Sequence, residues 1–280
     1  MTTALVDTQW LSDHLIDPNV VVIDSSWHLP TAGRDGYQEF LDQHIPGAVF
    51  FDIDEISDKT NPLPHMLPTA EQFAEQVAAL GIDAESRIVV YDSYGLFSAA
   101  RVWWMFRIMG YDNVAILNGG LPKWLAENRP IEAGRAGPRT APTSTATLNS
   151  SKVYDRQQIV SALQDKSAQV VDARPKARFD GAAPEPRPEL KSGHMPGSLN
   201  LHYALLINED GTLKSKSELA RLYDDAQVDL AKPIVTTCGS GVTAAILTLG
   251  LHELGHSGNC LYDGSWTDWA SQPESPIDRN

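Results

Sequence analysis

Short runs of β-branched and apolar residues alternate with helical patterns along the chain, and they do so in both halves. The runs predict strands at 20–23, 88–91, 114–117, 169–172, 233–237 and 259–262. The patterns between them predict helices at 69–80, 98–109, 216–225 and 242–254. Alternation of this kind is typical of an α/β fold, in which a mainly parallel sheet is covered by helices on both faces.

The second half of this pattern repeats the first. Four landmarks recur in the same order at an offset of 145 to 150 residues. They are Val20–Asp24 and Gln169–Ala173, His44–Gly47 and His194–Gly197, Arg87–Asp92 and Pro233–Cys238, and Leu117–Gly120 and Tyr262–Gly264. A duplication explains them. We therefore predict a first domain over 1–128, a linker rich in Pro, Gly, Ser and Thr over 129–152, and a second domain over 153–280.

Cys238 stands where a strand of the second half is predicted to end, which is where parallel sheets place their functional sites. The tight loop that follows consists of Gly239, Ser240, Gly241, Val242 and Thr243. Backbone N–H groups of this loop and the start of the next helix can stabilise a thiolate, which predicts a nucleophile. Most free cysteines are instead small buried hydrophobes, and that interpretation fits Cys260, which lies inside a predicted strand.

Two thiolate chemistries use a cysteine between a strand and a helix. A cysteine-dependent phosphatase needs an arginine six positions after the cysteine, but Ala244 stands there, which disfavours phosphatase activity. Sulfur transfer requires only a thiolate and N–H groups that stabilise a persulfide. In the first half, Asp92 replaces the cysteine, and a carboxylate cannot act as a sulfur nucleophile. We therefore expect the first domain to be non-catalytic and to shape the cleft.

Composition narrows the possible partners. The apolar fraction of 42% and the charged fraction of 21% are ordinary for a folded globular protein, and no apolar run is long enough to span a membrane. The net charge of −14 argues against nucleic acid and anionic membranes, so an anionic substrate would need local arginines.

Two cysteines and an N-terminus without a secretory or transit pattern predict a cytoplasmic location. No metal-ligand spacing or nucleotide-binding glycine pattern occurs, so no cofactor is expected.

The repeat, the His-x-Pro-Gly landmarks and the run Cys238-Gly-Ser-Gly-Val-Thr resemble the tandem-domain rhodanese superfamily. The resemblance extends from about Trp10 to Trp269 and implies two rhodanese-like domains, the second of them catalytic. Members that use thiosulfate typically carry basic residues in the cysteine loop. Here that loop is uncharged, which makes the chain most similar to the branch that takes sulfur from 3-mercaptopyruvate.

The resemblance also implies roles for individual residues. Arg178 and Arg187 match positions that hold the substrate carboxylate, and a planar guanidinium can do so with two parallel hydrogen bonds. Asp54, His65 and Ser240 match a relay that would supply a proton to the pyruvate enolate. The implied substrate-binding positions in the loop are Gly239, Gly241, Val242 and Thr243. Alternatively, the two arginines could be surface residues paired with Glu185 or Asp180, and His65 an ordinary loop histidine.

The implied reaction transfers sulfur from 3-mercaptopyruvate to Cys238 and then to a thiol acceptor, a thioredoxin-like reductant or cyanide. Two other functions remain open at this point. One is a thiosulfate:cyanide sulfurtransferase, which would use the same cysteine with another donor. The other is a non-enzymatic rhodanese-like module that binds a partner or relays sulfur.

Overall fold

The computed structural model describes residues 4–137 and 143–280, which fall into two compact units. The first unit comprises the chain up to Lys59, Leu67–Asn149 and Asn208–Leu213, and the second comprises Thr60–Met66, Ser150–Ile207 and Lys214–Asn280. Each unit thus includes one short segment from the opposite half of the sequence. Residues 1–3, which belong to the N-terminus used above to predict the location, lie outside the described residues. Residues 138–142 of the predicted linker lie outside them as well.

The first unit contains a parallel sheet of five strands in the order β1-β5-β4-β2-β3. The strands are β1 (Leu5–Val6), β2 (Val20–Asp24), β3 (Val49–Phe50), β4 (Arg87–Tyr91) and β5 (Val114–Leu117). The helices are α1 (Thr8–His14), α2 (Gly36–Asp42), α3 (Ala70–Ala79), α4 (Ala99–Ile108) and α5 (Gly120–Ala126). Every residue of β2 and β5 is buried, because a parallel sheet with helices on both faces leaves its central strands no solvent side.

The second unit repeats this arrangement with strand order β6-β10-β9-β7-β8. The strands are β6 (Val153–Tyr154), β7 (Gln169–Asp172), β8 (Leu199–Asn200), β9 (Ile234–Thr237) and β10 (Asn259–Tyr262). The helices are α6 (Arg156–Asp165), α7 (Lys176–Phe179), α8 (Lys216–Asp225), α9 (Ala244–Glu253) and α10 (Ser265–Ser271). The predicted fold class and the internal repeat are therefore confirmed.

The elements predicted from the sequence are present, and their ends match the prediction or differ from it by at most two residues. Thr69 and Ser215 form capping boxes that set the starts of α3 and α8. The strands that the pattern did not predict are β1, β3, β6 and β8, each of two residues. Two residues are too few to display a period, so only pairing with a neighbouring strand reveals them. No helix among the described residues is long and apolar enough to cross a membrane.

Candidate active site

Cys238 directly follows β9, at the carboxyl edge of the second sheet. Thr237, the last residue of β9, is paired with Asp172 of β7, and its carbonyl accepts a hydrogen bond of 2.8 Å from the amide of Ala173. The predicted order of strand, cysteine, loop and helix is therefore observed, with α9 beginning at Ala244. Cys238 is only 2% exposed. Because so little of the residue meets bulk water, a sulfur donor must be held against it by neighbouring groups.

The turn after β10 holds the backbone of Cys238 on both sides. The amide of Cys238 donates to Oγ of Ser265 (3.2 Å), and its carbonyl accepts from the amide of Trp266 (3.0 Å). The first unit uses the same device, since the amide of Leu121 donates to the carbonyl of Asp92 at 3.0 Å. The carbonyl of the residue that begins each loop is therefore held in the same way by the turn after the following strand.

The loop that begins at Asp92 in the first unit shows what this geometry binds. The Asp92 carboxylate is fully buried and accepts three backbone hydrogen bonds, from Tyr94 (2.9 Å), Phe97 (2.6 Å) and Ala99 (2.9 Å). Burial raises the pKa of this carboxyl, and the three N–H donors oppose that effect. Three converging N–H groups make this loop an anion-binding site, which the chain fills with its own carboxylate.

The loop that begins at Cys238 has the corresponding donors but no carboxylate. At the positions equivalent to Tyr94 and Phe97 stand Ser240 and Thr243. Their backbone N–H groups donate no hydrogen bond to any described residue. The third equivalent donor, the amide of Ala245, makes a 3.3 Å bond to the carbonyl of Val242. Two anion-binding donors beside the thiol are therefore open to a ligand.

Arg178 lies against this loop. Its Nη2 atom is 3.3 Å from the position that a Cβ on Gly239 would occupy. A side chain at position 239 would therefore crowd the guanidinium, which gives this glycine a steric role. Nε of Arg178 donates to Oε2 of Glu185 at 3.1 Å, and Nη2 donates to the same oxygen. Arg178, which was assigned to the substrate from sequence, is thus next to the cysteine loop and oriented by a carboxylate.

Glu185 belongs to a buried network that the sequence only partly revealed. Its other oxygen accepts from Nη1 of Arg174 (2.8 Å), which also binds the carboxylate of Asp172 (2.7 Å from Nη2). Arg174, Asp172 and Glu185 each have side chains about 1% exposed. The structural pairing of Asp172 with Arg174 follows from their spacing. Pairing of an arginine with Glu185 was the alternative left open by the sequence, and the structure shows it for Arg178, whereas the bond from Arg174 to the same carboxylate could not be predicted.

Arg187 differs from Arg178 in having no carboxylate partner. Its side chain is half-buried, and in the described part of the chain its guanidinium makes no hydrogen bond or ion pair. It follows Glu185 by two residues, so the anchored carboxylate limits how far it can move. A partly desolvated, unpaired guanidinium favours an anionic ligand.

The three residues of the predicted relay are divided between the two units. His65 and Ser240 belong to the second unit, and Asp54 belongs to the first. His65 is buried, 4% exposed, with a left-handed backbone (φ 61°). Asp54 accepts a 2.9 Å bond from Nε1 of Trp27, and the Ser240 hydroxyl makes no hydrogen bond with the described residues. The relay therefore stays a prediction.

Cys260 occupies β10, as expected, and is half-buried. Its Sγ donates to the carbonyl of Ser151 at 3.3 Å. Burial raises the pKa of this thiol, which disfavours the thiolate. Cys260 therefore has the environment of a structural cysteine.

Comparison with known proteins identifies relatives along the whole chain. Residues 7–127 and 155–272 match the family described as Rhodanese-like domain. Thiosulfate/3-mercaptopyruvate sulfurtransferase 1 of Arabidopsis thaliana, a mitochondrial protein, is 43% identical over 98% of this chain and 78% of its own length. The 3-mercaptopyruvate sulfurtransferase of Homo sapiens is 43% identical, covering 98% of this chain and 95% of its own. The crystal structure of SseA from Escherichia coli, a 3-mercaptopyruvate sulfotransferase with the rhodanese fold, superposes with a TM-score of 0.87 at 41% identity, covering 94% of this chain and 99% of its own.

Proposed function

The chain belongs to the rhodanese family, of which it carries two domains in tandem, and from this premise we propose that it acts as a 3-mercaptopyruvate sulfurtransferase. It takes sulfur from 3-mercaptopyruvate, releases pyruvate and passes the sulfur to a thiol or to cyanide. The sulfur is carried by Cys238, and the first domain is non-catalytic.

The observation that carries this proposal is the contrast between the two equivalent loops. Where the first unit holds the Asp92 carboxylate on three N–H groups, the second presents a thiol beside N–H groups of Ser240 and Thr243 that have no acceptor among the described residues. A persulfide anion on Cys238 is an anion of the kind such donors stabilise. The loop therefore suits a cysteine that carries a second, negatively charged sulfur.

The reaction starts with the carboxylate of the donor on Arg178 and Arg187. The thiolate of Cys238 attacks the donor sulfur, an S–S bond forms, and the C–S bond breaks with its electron pair going to carbon. The resulting enolate of pyruvate takes a proton at that carbon, and the donor thiol loses one, which leaves a persulfide anion on Cys238. The predicted relay of Asp54, His65 and Ser240 supplies the proton. A thiol or cyanide then removes the outer sulfur, which regenerates the thiolate.

Charge at the site favours 3-mercaptopyruvate over thiosulfate as the donor. The loop from Gly239 to Thr243 contains no ionisable side chain, and the charge of Arg178 is offset by Glu185. Arg187 matches the single carboxylate of 3-mercaptopyruvate, whereas the dianionic thiosulfate would bring a second negative charge without a cation to meet it.

Steady-state kinetics with both donors, combined with mass spectrometry, test the proposal. With 3-mercaptopyruvate, kcat/KM should exceed that with thiosulfate, and the protein should gain about 32 Da, one sulfur atom, on Cys238. Cys238→Ser should abolish turnover, and Cys260→Ser, the matched control, should retain it. Higher kcat/KM with thiosulfate would indicate the other donor class, and no mass gain would indicate a binding module.

The acceptor and the compartment belong to the same proposal. Both cysteines are free thiols, which suits a reducing compartment such as the cytoplasm and an acceptor that is a small thiol or a thioredoxin-like protein. The net charge of −14 argues against nucleic acid as a partner.

A further inference from the structure

His202 lies at the same edge of the second sheet as Cys238. The amide of Leu201 donates to the carbonyl of Asp172 (3.0 Å), and the amide of Tyr203 donates to the carbonyl of Ala173 (3.1 Å). These bonds fasten the segment after β8 to the end of β7. Since β7 lies between β8 and β9, His202 is two strands away from Cys238, on the order of 10 Å.

The two ring nitrogens of His202 have different surroundings. Nε2 is buried and makes no hydrogen bond with the described residues, whereas Nδ1 is not among the buried nitrogens without a partner. A proton on Nε2 would be buried without an acceptor, so the favoured neutral tautomer carries its proton on Nδ1. Burial, and then the positive charge of Arg178, lower the pKa of His202. The lowered pKa favours the neutral imidazole, whose N–H group at Nδ1 is not hydrogen-bonded to a described residue.

Arg178 connects His202 to the cysteine loop. Its guanidinium lies against Gly239 on one side and is close enough to His202 for its charge to act on the imidazole. Because His202 follows β8 at the same edge of the sheet, a carboxylate held by Arg178 beside the cysteine loop would lie on the side of the sheet where His202 stands. This group adds a hydrogen bond without adding charge, which suits a donor that carries one carboxylate and a keto oxygen.

We propose that His202 is a substrate-binding residue, whose Nδ1–H donates a hydrogen bond to an oxygen of the 3-mercaptopyruvate held by Arg178. This inference rests on the proposed function and adds a residue to its donor site. His202 then contributes to the choice of donor, because the keto and carboxylate oxygens of 3-mercaptopyruvate lie farther from the transferred sulfur than the oxygens of thiosulfate do.

Three substitutions separate the hydrogen bond from the shape of the side chain. His202→Asn keeps an N–H donor near the position of Nδ1, His202→Gln moves it toward that of Nε2, and His202→Ala removes it. We expect Ala and Gln to raise KM for 3-mercaptopyruvate about tenfold, as for one lost hydrogen bond to a carboxylate, with kcat little changed. Asn should stay within about threefold of the wild type, and KM for thiosulfate should change little in all three variants.

The control is His256→Ala, because Nε2 of His256 contacts the carbonyl of Lys232, before β9 and so at the opposite edge of the sheet. Inhibition by pyruvate, which shares the carboxylate and keto oxygen, should weaken in parallel with KM. The inference is overturned if His202→Ala leaves KM unchanged, or if Asn, Gln and Ala raise it by the same factor. Sulfur uptake on wild-type Cys238 separates the two proposals, since its absence contradicts the proposed function itself.

Discussion

The two arginines proposed for the donor site, Arg178 and Arg187, carry the same charge, but their surroundings give them different properties. Arg178 gives Nε–H and an Nη2–H to Glu185, which fixes its orientation and offsets its charge. Arg187 has no such partner in the part of the chain that the structure describes. We therefore expect Arg178 to contribute mainly geometry and Arg187 mainly charge to binding of the donor.

Replacing Arg187 tests this division. Arg187→Gln should raise KM for 3-mercaptopyruvate by about 10- to 100-fold, because a charge-assisted hydrogen bond contributes roughly 1.5–3 kcal/mol, and kcat should change by less than about threefold. Steady-state kinetics measure both quantities. Arg221→Gln on the exposed face of α8 is the control. An unchanged KM for Arg187→Gln would exclude this arginine from the donor site.

The prediction for His65 concerns proton transfer. His65→Ala should lower kcat by about 100-fold or more with KM nearly unchanged, because a general acid acts in the transition state and not in the binding of the donor. The pH dependence of kcat should lose the limb that belongs to this group. If the variant keeps the pH profile of the wild type, His65 takes no part in proton transfer.

At the level of elements, the turns that follow β2 and β7 are built alike but neutralise a buried carboxylate differently. Asp24 and Asp172 end these strands, and each accepts a 2.9 Å bond from the amide two residues later, of Ser26 and Arg174 respectively. The Arg174 guanidinium compensates Asp172, but Ser26 brings no charge to Asp24. Burial therefore raises the pKa of Asp24 to about 6.

A raised pKa makes the folded state bind a proton that the unfolded state has already released. Between the unfolded value of 3.8 and about 6, stability must therefore fall as pH rises, by about 3 kcal/mol in total. Asp24→Asn removes this loss, so its free energy of unfolding relative to the wild type should rise by about 2–3 kcal/mol between pH 4 and pH 7.

Urea unfolding at several pH values measures this difference. Asp13→Asn, at an exposed carboxylate of α1, is the control for the same chemical change. A pH-independent difference between Asp24→Asn and the wild type would mean that Asp24 is ionised in the folded protein throughout this range.

At the scale of the whole molecule, the two repeated units share one sheet topology but differ in the residues at and around the loop. The strand orders of the two units correspond one to one. Six residues after Asp172 stands Arg178, whereas six residues after Asp24 stands Pro30. In the first unit the arginine beside the loop is instead Arg34, whose Nη2 donates to Oγ of Ser93 (3.2 Å) and whose charge is offset by Glu39.

This difference predicts that a cysteine alone cannot make the first unit catalytic. The double variant Asp92→Cys/Cys238→Ser should show no sulfur transfer from 3-mercaptopyruvate above the level of Cys238→Ser, because the charge of Arg34 beside the new thiol is offset by Glu39 and the unpaired Arg187 belongs to the other unit. Turnover and sulfur uptake are the measurements. Transfer at more than about one hundredth of the wild-type rate would show that the loop suffices without Arg187, since that loss is less than about 3 kcal/mol.

The elements that could be predicted are those in which the pattern of apolar residues directly reflects burial. The buried runs of β2, β4, β7 and β9 are continuous because both faces of the sheet are covered. Helix α9 could be predicted even though eight of its ten residues are buried. It could be predicted because it follows the glycine loop at Cys238. The segments Thr60–Met66 and Asn208–Leu213 could not be assigned to the opposite unit, since their composition says nothing about what they contact.

The amino-acid sequence by itself determined the two α/β units, their duplication and the position of Cys238 between a strand and a helix, because periodicity and glycine placement act within a few residues. Only the tertiary structure decided that Arg178 lies against Gly239, that Glu185 joins Arg174 to Arg178, and that two of the three N–H groups bound by Asp92 in one unit are open in the other. These contacts depend on how separate elements pack, and packing joins residues whose distance along the chain leaves no local pattern.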